Sequence, residues 1–440
     1  MMQVMLRFAA CVSLAALVAA NASATPQPMA GTAIAATRIG APGEFEPQDY
    51  IWLSWRDARF LGQAPFADVA VEVMKEITPF VKVRLMYSDE QPPYDRISRL
   101  PRAAAEEVVR ARLKAKGVDL SRVELFFHPQ PSGAIQDPGP FFLRTTAGGL
   151  ALADYRYGVH PDPRVEAMDR DIAANLGIPT IGSELISEGG ARQSNGRGTL
   201  LLVQTVERDR NPKLTLAQIE AEHARVHGTP NVIWLDKGPA DEEWGRLKDG
   251  RWGIGTGGHV DVFARFADAS TILLAQVSDA QRRRYPIMAE THRRMEKNFA
   301  ILRAATDQDG KPFRVLRVPM PDPMTASVNY DSISPYERMF FDGAKPGEWI
   351  TYYLPAGYLN FIIANGVVVT ARLWEEGRPL KFRETDRLAK RALERAFPGR
   401  KVVQVGVTPL IHDGGGLHCH SRNQPFASAT AGYELLDVRR

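Results

Sequence analysis

The stretch Leu359–Trp374, "LNFIIANGVVVTARLW", sets two apolar runs on either side of Asn365-Gly366. Val, Ile and Phe fill the runs, and Asn-Gly is a favoured pair for a two-residue hairpin loop, so two antiparallel strands are expected. The period then changes. In "ETDRLAKRALERAF" (384–397) apolar residues recur every three to four positions, which predicts a helix, and "KVVQVGV" (401–407) returns to a strand. The same order runs backward through the chain. Strands are expected at "YIWLSW" (50–55), "VKVRLMY" (81–87), "VELFFH" (123–128), "NVIWLD" (231–236) and "FRVLRV" (313–318). Helices are expected at "FADVAVEVMKEITP" (66–79), "AAAEEVVRARLKAK" (103–116), "LTLAQIEAEHARVH" (214–227) and "THRRMEKNFAILRAAT" (291–306). About five passes of helix, strand, loop and hairpin result, unevenly spaced, unlike a solenoid of fixed period. No low-complexity linker divides them. A single α/β domain is expected over residues 48–440. A doubly wound two-domain chain is the alternative, but no glycine-rich dinucleotide fingerprint follows the first strand.

A chain of 440 residues with 44% hydrophobic content can bury a large core. Its formal net charge is only +4. Basic runs such as "QRRRY" (281–285) alternate with apolar positions and read as solvated helix faces, so no nucleic-acid partner is expected. Residues 1–24 carry Arg7, an apolar run and Ala22-Ser23-Ala24, the pattern of a secretory signal cut after Ala24; an uncleaved anchor is the alternative. Residues 25–47 read as a loose Pro/Gly/Ala segment. The mature chain is expected to be exported, periplasmic or secreted, with no membrane association after cleavage. Of two cysteines, Cys11 leaves with the signal and Cys419 remains, so no intramolecular disulfide can form. A lone thiol in an oxidising compartment is either buried or used. The neighbours of Cys419 in "DGGGLHCHSRNQP" (413–425) do not resemble an apolar core strand, which favours use.

Four polar loops share one position in the repeating theme, after a strand. They are "AIQDPGPFF" with Asp137, "LISEGGARQ" with Glu188 before Gly189-Gly190, "GIGTGGHVDVFARF" with His259 and Asp261, and the Cys419 stretch. Each alone reads equally well as a turn, or as a solvated strand pair for His259 and Asp261, whose spacing of two puts both on one strand face. Gly257-Gly258 would leave room beside them for something to approach. Together the loops supply a thiol, an imidazole and three carboxylates, each beside glycines. Covalent catalysis on a cationic carbon needs that set: carboxylates to hold the positive charge, a thiolate to attack and an imidazole to move protons.

With these residues in place, the chain resembles the agmatine deiminase and Porphyromonas-type peptidylarginine deiminase family, within the guanidino-group-modifying (pentein) superfamily. Gln136-Asp137-Pro138-Gly139-Pro140, Glu188-Gly189-Gly190, Gly258-His259-Val260-Asp261 and Gly414-Gly415-Gly416-Leu417-His418-Cys419 carry the resemblance, from about Tyr50 to Pro425. Lesser echoes are Arg210-Asn211-Pro212, "VIWLDKG" and "GYLNFIIANGVVV". The resemblance implies a five-bladed, pseudo-fivefold α/β propeller of ββαβ units with the site in its central channel. It implies hydrolysis of a guanidinium to a ureido group with release of ammonia, without metal or organic cofactor. It makes Cys419 the nucleophile, Asp137 and Asp261 the grips on the guanidinium, His259 the proton carrier and Glu188 its orienting partner, with Gly415 and Gly416 beside the substrate. Departures fall near the substrate end: Gln136 where the family carries Arg, Pro138, Val262, His420-Ser421 after the cysteine, and "ADYRYGVHPDPR" (153–164) where a Trp-Gly-Gly segment is usual. They leave agmatine, a related small guanidino compound and peptidyl arginine open as substrates, and export points away from cytoplasmic polyamine synthesis. A homo-oligomer is left open.

Readings from other classes also stand. His412, His418, Cys419 and His420, with His259 and Asp261, could serve a metal, although neighbours on a strand point to opposite faces. A silent binding protein would have lost the thiol or the imidazole, and neither is lost. A cysteine protease needs a thiol, an imidazole and an acid, but paired aspartates suit a guanidinium better than an amide carbonyl.

Overall fold

The structure, a computed structural model, describes residues 39–57, 60–91, 98–129, 133–145, 148–158 and 162–427. The expected signal at 1–24 and the first part of the 25–47 segment lie outside these residues. From Ile39 onward that segment is part of the fold. Ile39–Gly40 pairs antiparallel with Phe141–Thr145, and Ala41 N–H donates to the His227 carbonyl.

Among the described residues, five sheets repeat one connectivity. A short strand runs antiparallel to the next, and a helix then leads to a third strand that lies parallel to the second. Phe141–Thr145, Leu150–Arg156 and Thr180–Ile186 form one such set. Arg192–Ser194, Thr199–Val203 and Asn231–Leu235 form the next. Ala264–Phe266, Thr271–Gln276 and Arg314–Pro319 follow, and then Ile362–Ile363, Val367–Arg372 and Lys401–Gly406. The remaining set joins the two ends of the chain. Ser421–Pro425 runs antiparallel to Gln48–Ser54, which is parallel to Lys82–Tyr87, and Val123–Phe127 adds a fourth strand. Parallel neighbours need a crossover, and the helices Phe66–Ile77, Met168–Leu176, Leu216–His227, Pro286–Ala304 and Leu380–Ala396 supply it. The middle strands are covered on both faces and read as apolar runs; all five residues of Thr199–Val203 are buried.

Local chemistry fixes the helix ends. Thr215 and Gln218 form a reciprocal capping box at the start of Leu216–His227, and Gly228 ends that helix in the left-handed region at φ 62°. Pro286 begins the longest helix five residues before the expected Thr291, because proline at the first turn loses no hydrogen bond.

Two features were not expected. The strand Ser421–Pro425 is buried throughout although four of its five side chains are polar. Each polar side chain is bonded: Ser421 Oγ donates to the His418 carbonyl, Arg422 Nε to the Pro140 carbonyl and Asn423 Nδ2 to the Ile363 carbonyl, while Gln424 Oε1 accepts from Trp52 Nε1 at 2.8 Å. A further four-stranded sheet, Trp244–Arg246, Trp252–Ile254, Trp349–Leu354 and Met324–Asn329, grows from two of the connections and ties them together.

The Asn365-Gly366 turn forms between Ala364 and Val367, whose backbones bond at 2.8 Å. Neither turn residue has positive φ, so this is not the primed turn that Asn-Gly usually signals. Gly366 is needed for space: a Cβ there would meet the Phe80 ring at 2.2 Å. Asn365 clamps the Gln48 backbone, accepting from its N–H at 2.7 Å and donating to its carbonyl at 2.9 Å. Asn365→Ala leaves the buried Gln48 N–H unpaired and should destabilise the fold by about 1–3 kcal/mol. Urea unfolding measures this; a midpoint equal to wild type would show that the clamp carries no stability.

Candidate active site

The connection that follows the last parallel strand of each set brings polar side chains to one place. Asp137 follows Val123–Phe127, Glu188 follows Thr180–Ile186, His259 and Asp261 follow Asn231–Leu235, Asn360 follows Arg314–Pro319, and His418 and Cys419 follow Lys401–Gly406. Ligands in parallel α/β sheets commonly bind beyond the carboxyl ends of the strands, as these connections lie.

Asp261 lies at the centre. Its Oδ2 accepts from Asn360 Nδ2 at 2.9 Å and meets His418 Nδ1 at 2.7 Å, with Cys419 Sγ at 3.8 Å. Asn360 Nδ2 also reaches Cys419 Sγ at 3.2 Å, and Asn360 Oδ1 accepts from the backbone N–H of His418 and of Cys419. Among the described residues, Asp261 Oδ1 has no hydrogen-bond partner. On the other side, Asp137 Oδ1 accepts from Gly190 N–H at 2.9 Å, and Gln136 N–H donates to the Cys419 carbonyl at 3.0 Å. His259 stands between the acids, Nδ1 at 3.6 Å from Asp137 and Nε2 at 3.8 Å from Glu188; both are beyond hydrogen-bond length. Glu188 is held by Arg210. Cys419, His259, Asp261 and Glu188 are each 2% exposed or less, so Cys419 is buried as well as surrounded by reactive groups.

The glycines admit these groups to one another. A Cβ on Gly190 would lie 2.8 Å from His259 Nδ1, 2.9 Å from Asp137 Oδ1 and 3.1 Å from Asp261 Oδ2. A Cβ on Gly416 would meet Asn360 Oδ1 at 2.6 Å, and one on Gly415 would lie 3.1 Å from Cys419 Sγ. Gly415 and Gly416 thus make room for the asparagine and the thiol.

Burial, then the charges of Asp261 and Asp137, push the Cys419 thiol well above its ordinary range, and the Asn360 hydrogen bond offsets this only in part. Burial also raises Asp137, opposed by His259 and reinforced by Asp261 and Glu188. For Glu188, burial would raise the carboxyl, but Arg210 and His259 hold it below its usual value.

Several sequence expectations need correction. His259 and Asp261 are not on a strand: Val260–Val262 is one 3₁₀ turn with His259 preceding it, so they turn inward from a bend and not along one strand face. Of the two glycines expected to leave room, Gly257 faces open space, whereas Gly258 packs against the Gly238 backbone. The histidines of the metal reading diverge. His412 bonds Tyr352 at 2.7 Å, His418 lies between Asp261 and Glu44, and His420 Nδ1 donates to the Gly416 carbonyl at 2.7 Å while its ring packs on Phe66. Asn360 escaped the sequence reading although it sits in "GYLNFIIANGVVV"; the place it occupies, the one connection of the five with no assigned residue, was the available signal.

A sequence model of the Porphyromonas-type peptidyl-arginine deiminase family matches residues 40–425. A Streptomyces coelicolor protein is 31% identical across 87% of this chain and 98% of its own length. The agmatine deiminase of Stutzerimonas stutzeri is 28% identical, covering 87% of this chain and 95% of its own. Among solved structures, the agmatine deiminase of Enterococcus faecalis superposes with a TM-score of 0.68 at 21% identity, covering 89% of this chain and 96% of that one, which shows a shared fold. With its four glycine-rich loops meeting around one buried thiol, the chain belongs to the Porphyromonas-type peptidyl-arginine deiminase family.

Proposed function

We propose that this protein is a guanidino-group hydrolase acting on agmatine or a related small guanidino compound. The observation that carries it is the meeting of Cys419 with Asp261, Asp137, His259 and Glu188 inside the fold. Asp137 and Asp261 come from different connections and both present carboxylate oxygens beside Gly190, which suits a planar cation with several N–H groups. The burial of these groups favours a small substrate, and the relatives named agmatine deiminases support the same choice. Peptidyl arginine is the second reading, favoured by the family that the sequence matches.

In the proposed sequence, the Cys419 thiol gives up its proton to His259 and Sγ adds to the guanidinium carbon. The C–N bond to a terminal nitrogen then breaks, and that nitrogen leaves as ammonia with a proton from His259. An amidino-thioether remains on Cys419. Water, deprotonated by His259, adds to the same carbon, the C–S bond breaks, and the thiol and a ureido product are released. Glu188, fixed by Arg210, holds His259 for both proton transfers. The five sheets of equal connectivity, with the two chain ends sharing one of them, support a closed pseudo-fivefold propeller of ββαβ units around this site. The signal-like residues 1–24 support export; a mature protein beginning at Thr25, read by mass spectrometry, tests that reading.

Incubation with agmatine, arginine and an arginine peptide should yield ureido product, fastest from agmatine, and Cys419→Ala should abolish it. Product from none of the three would overturn the assignment. Turnover of the peptide alone would select the second reading.

The raised Cys419 thiol gives a further test. Two acids hold it protonated, so a bound cation between them should release the proton. A cationic haloacetamidine should alkylate Cys419 at pH 7 at least about tenfold faster than the neutral haloacetamide, a rate ratio equivalent to about 1.4 kcal/mol. Asp261→Asn should speed the neutral reagent, by lowering the thiol, and slow the cationic one. Equal rates for both reagents in wild type would contradict the electrostatic account.

A further inference from the structure

Glu44 comes from the segment before the first long strand, yet it reaches the site. Both of its carboxylate oxygens lie 2.9 Å from His418 Nε2, across 374 residues of sequence. His418 Nδ1 meets Asp261 Oδ2 at 2.7 Å, so the ring bridges two carboxylates. Arg265 anchors Glu44 from behind. The Arg265 guanidinium is itself fully buried, bonded to Gln193 at 2.9 Å and to the carbonyls of Leu359 and Phe361, and lies 4.5 Å over the Phe361 ring.

This geometry restricts the ring. A carboxylate only accepts, and a neutral imidazole has one N–H. With a carboxylate oxygen at each nitrogen, the His418 ring is placed to donate from both. Glu44 can sustain this because it stays ionised. Burial alone would raise it, but His418, Arg265 and Arg422 together hold it below the usual carboxylate range. The groups facing His418 are Asp261 from the 3₁₀ turn, Glu44 from the N-terminal segment, and Asn360 and Cys419 from the last two connections. Arg265 and Arg422 lie beyond Glu44.

We infer that Glu44 is a positioning residue for the reaction: by holding His418 as a double donor it fixes Asp261 with Oδ2 turned inward and the unpartnered Oδ1 presented to the guanidinium. His418 and Glu44 touch no reacting atom. They set the angle and charge of the carboxylate that does. The kinetic consequence rests on the guanidino-hydrolase reading, whereas the state of the His418 ring does not.

Full-length protein labelled with ¹⁵N-histidine, with His418→Gln to assign the signal, reports the ring nitrogens by NMR at pH 7.5. Wild type should show N–H on both nitrogens of His418. Glu44→Gln keeps the volume and one acceptor, and should leave a single N–H. In the same variant kcat on agmatine should fall about 10²-fold with little change in KM, the scale expected for a misplaced reacting geometry. A merely structural anchor would lower the unfolding midpoint and leave kcat of the folded fraction and the N–H count unchanged. A single N–H on His418 in wild type overturns the inference even if Glu44→Gln fails to fold, and so does wild-type kcat in the folded variant. Absence of ureido product from wild type counts instead against the hydrolase reading and against the kinetic role that depends on it, while the N–H count still decides the ring.

Discussion

One carboxylate oxygen holds the site together. Asp261 Oδ2 accepts from Asn360 and faces His418 and the Cys419 thiol, so three of the five connections converge on a single fully buried atom. A buried carboxylate is costly without donors, and here the donors are the same groups that place the Cys419 thiol. Asn360 shows the economy of the arrangement. Its amide nitrogen spans Asp261 and Cys419, and its oxygen takes both backbone N–H groups that lead into the thiol. Position and charge are therefore set by one network.

The charges around that network are nearly matched, and the mismatch is useful. Glu44 faces Arg265 and His418, and Glu188 faces Arg210. Arg422 is pushed down to about 9, chiefly by burial and partly opposed by Glu44, and lies 4.4 Å over the Phe141 ring. Asp137, with no arginine bonded to it among the described residues, rises through burial, and the Cys419 thiol rises as well. A guanidinium supplies the charge that this corner lacks. In the proposed mechanism substrate binding and thiol activation are thus one electrostatic event, in which the ligand that is to be attacked also favours the attacking form.

The sequence revealed what depends on periodicity and on short motifs. The apolar runs at 81–87, 231–236 and 401–407 became parallel strands within a residue or so of their expected ends, and the four glycine-rich loops met in one buried cluster. It hid what depends on contacts between distant residues. The strand 421–425 is polar, so no hydrophobic alternation marks it; its burial rests on partners at 84, 140, 363 and 52 that only the fold brings near. Glu44 lay in a Pro/Gly/Ala stretch that local composition describes as loose. Asn360 is an ordinary turn residue until Asp261 and Cys419 are placed beside it. His259 and Asp261 were recognised as a pair, but a spacing of two does not distinguish a strand face from a single 3₁₀ turn.

These particulars make a definite chemical claim: the thiol of Cys419 bonds to the substrate carbon during turnover. Acid quenching of the enzyme in mid-turnover with agmatine, followed by peptide mass mapping, tests it most directly. The account predicts that the peptide containing Cys419 gains the mass of agmatine less ammonia, and that the adduct accumulates when His259 is replaced and water can no longer be activated. Ureido product formed while Cys419 remains unmodified at every time point, in an enzyme that stays active as Cys419→Ser, would contradict it.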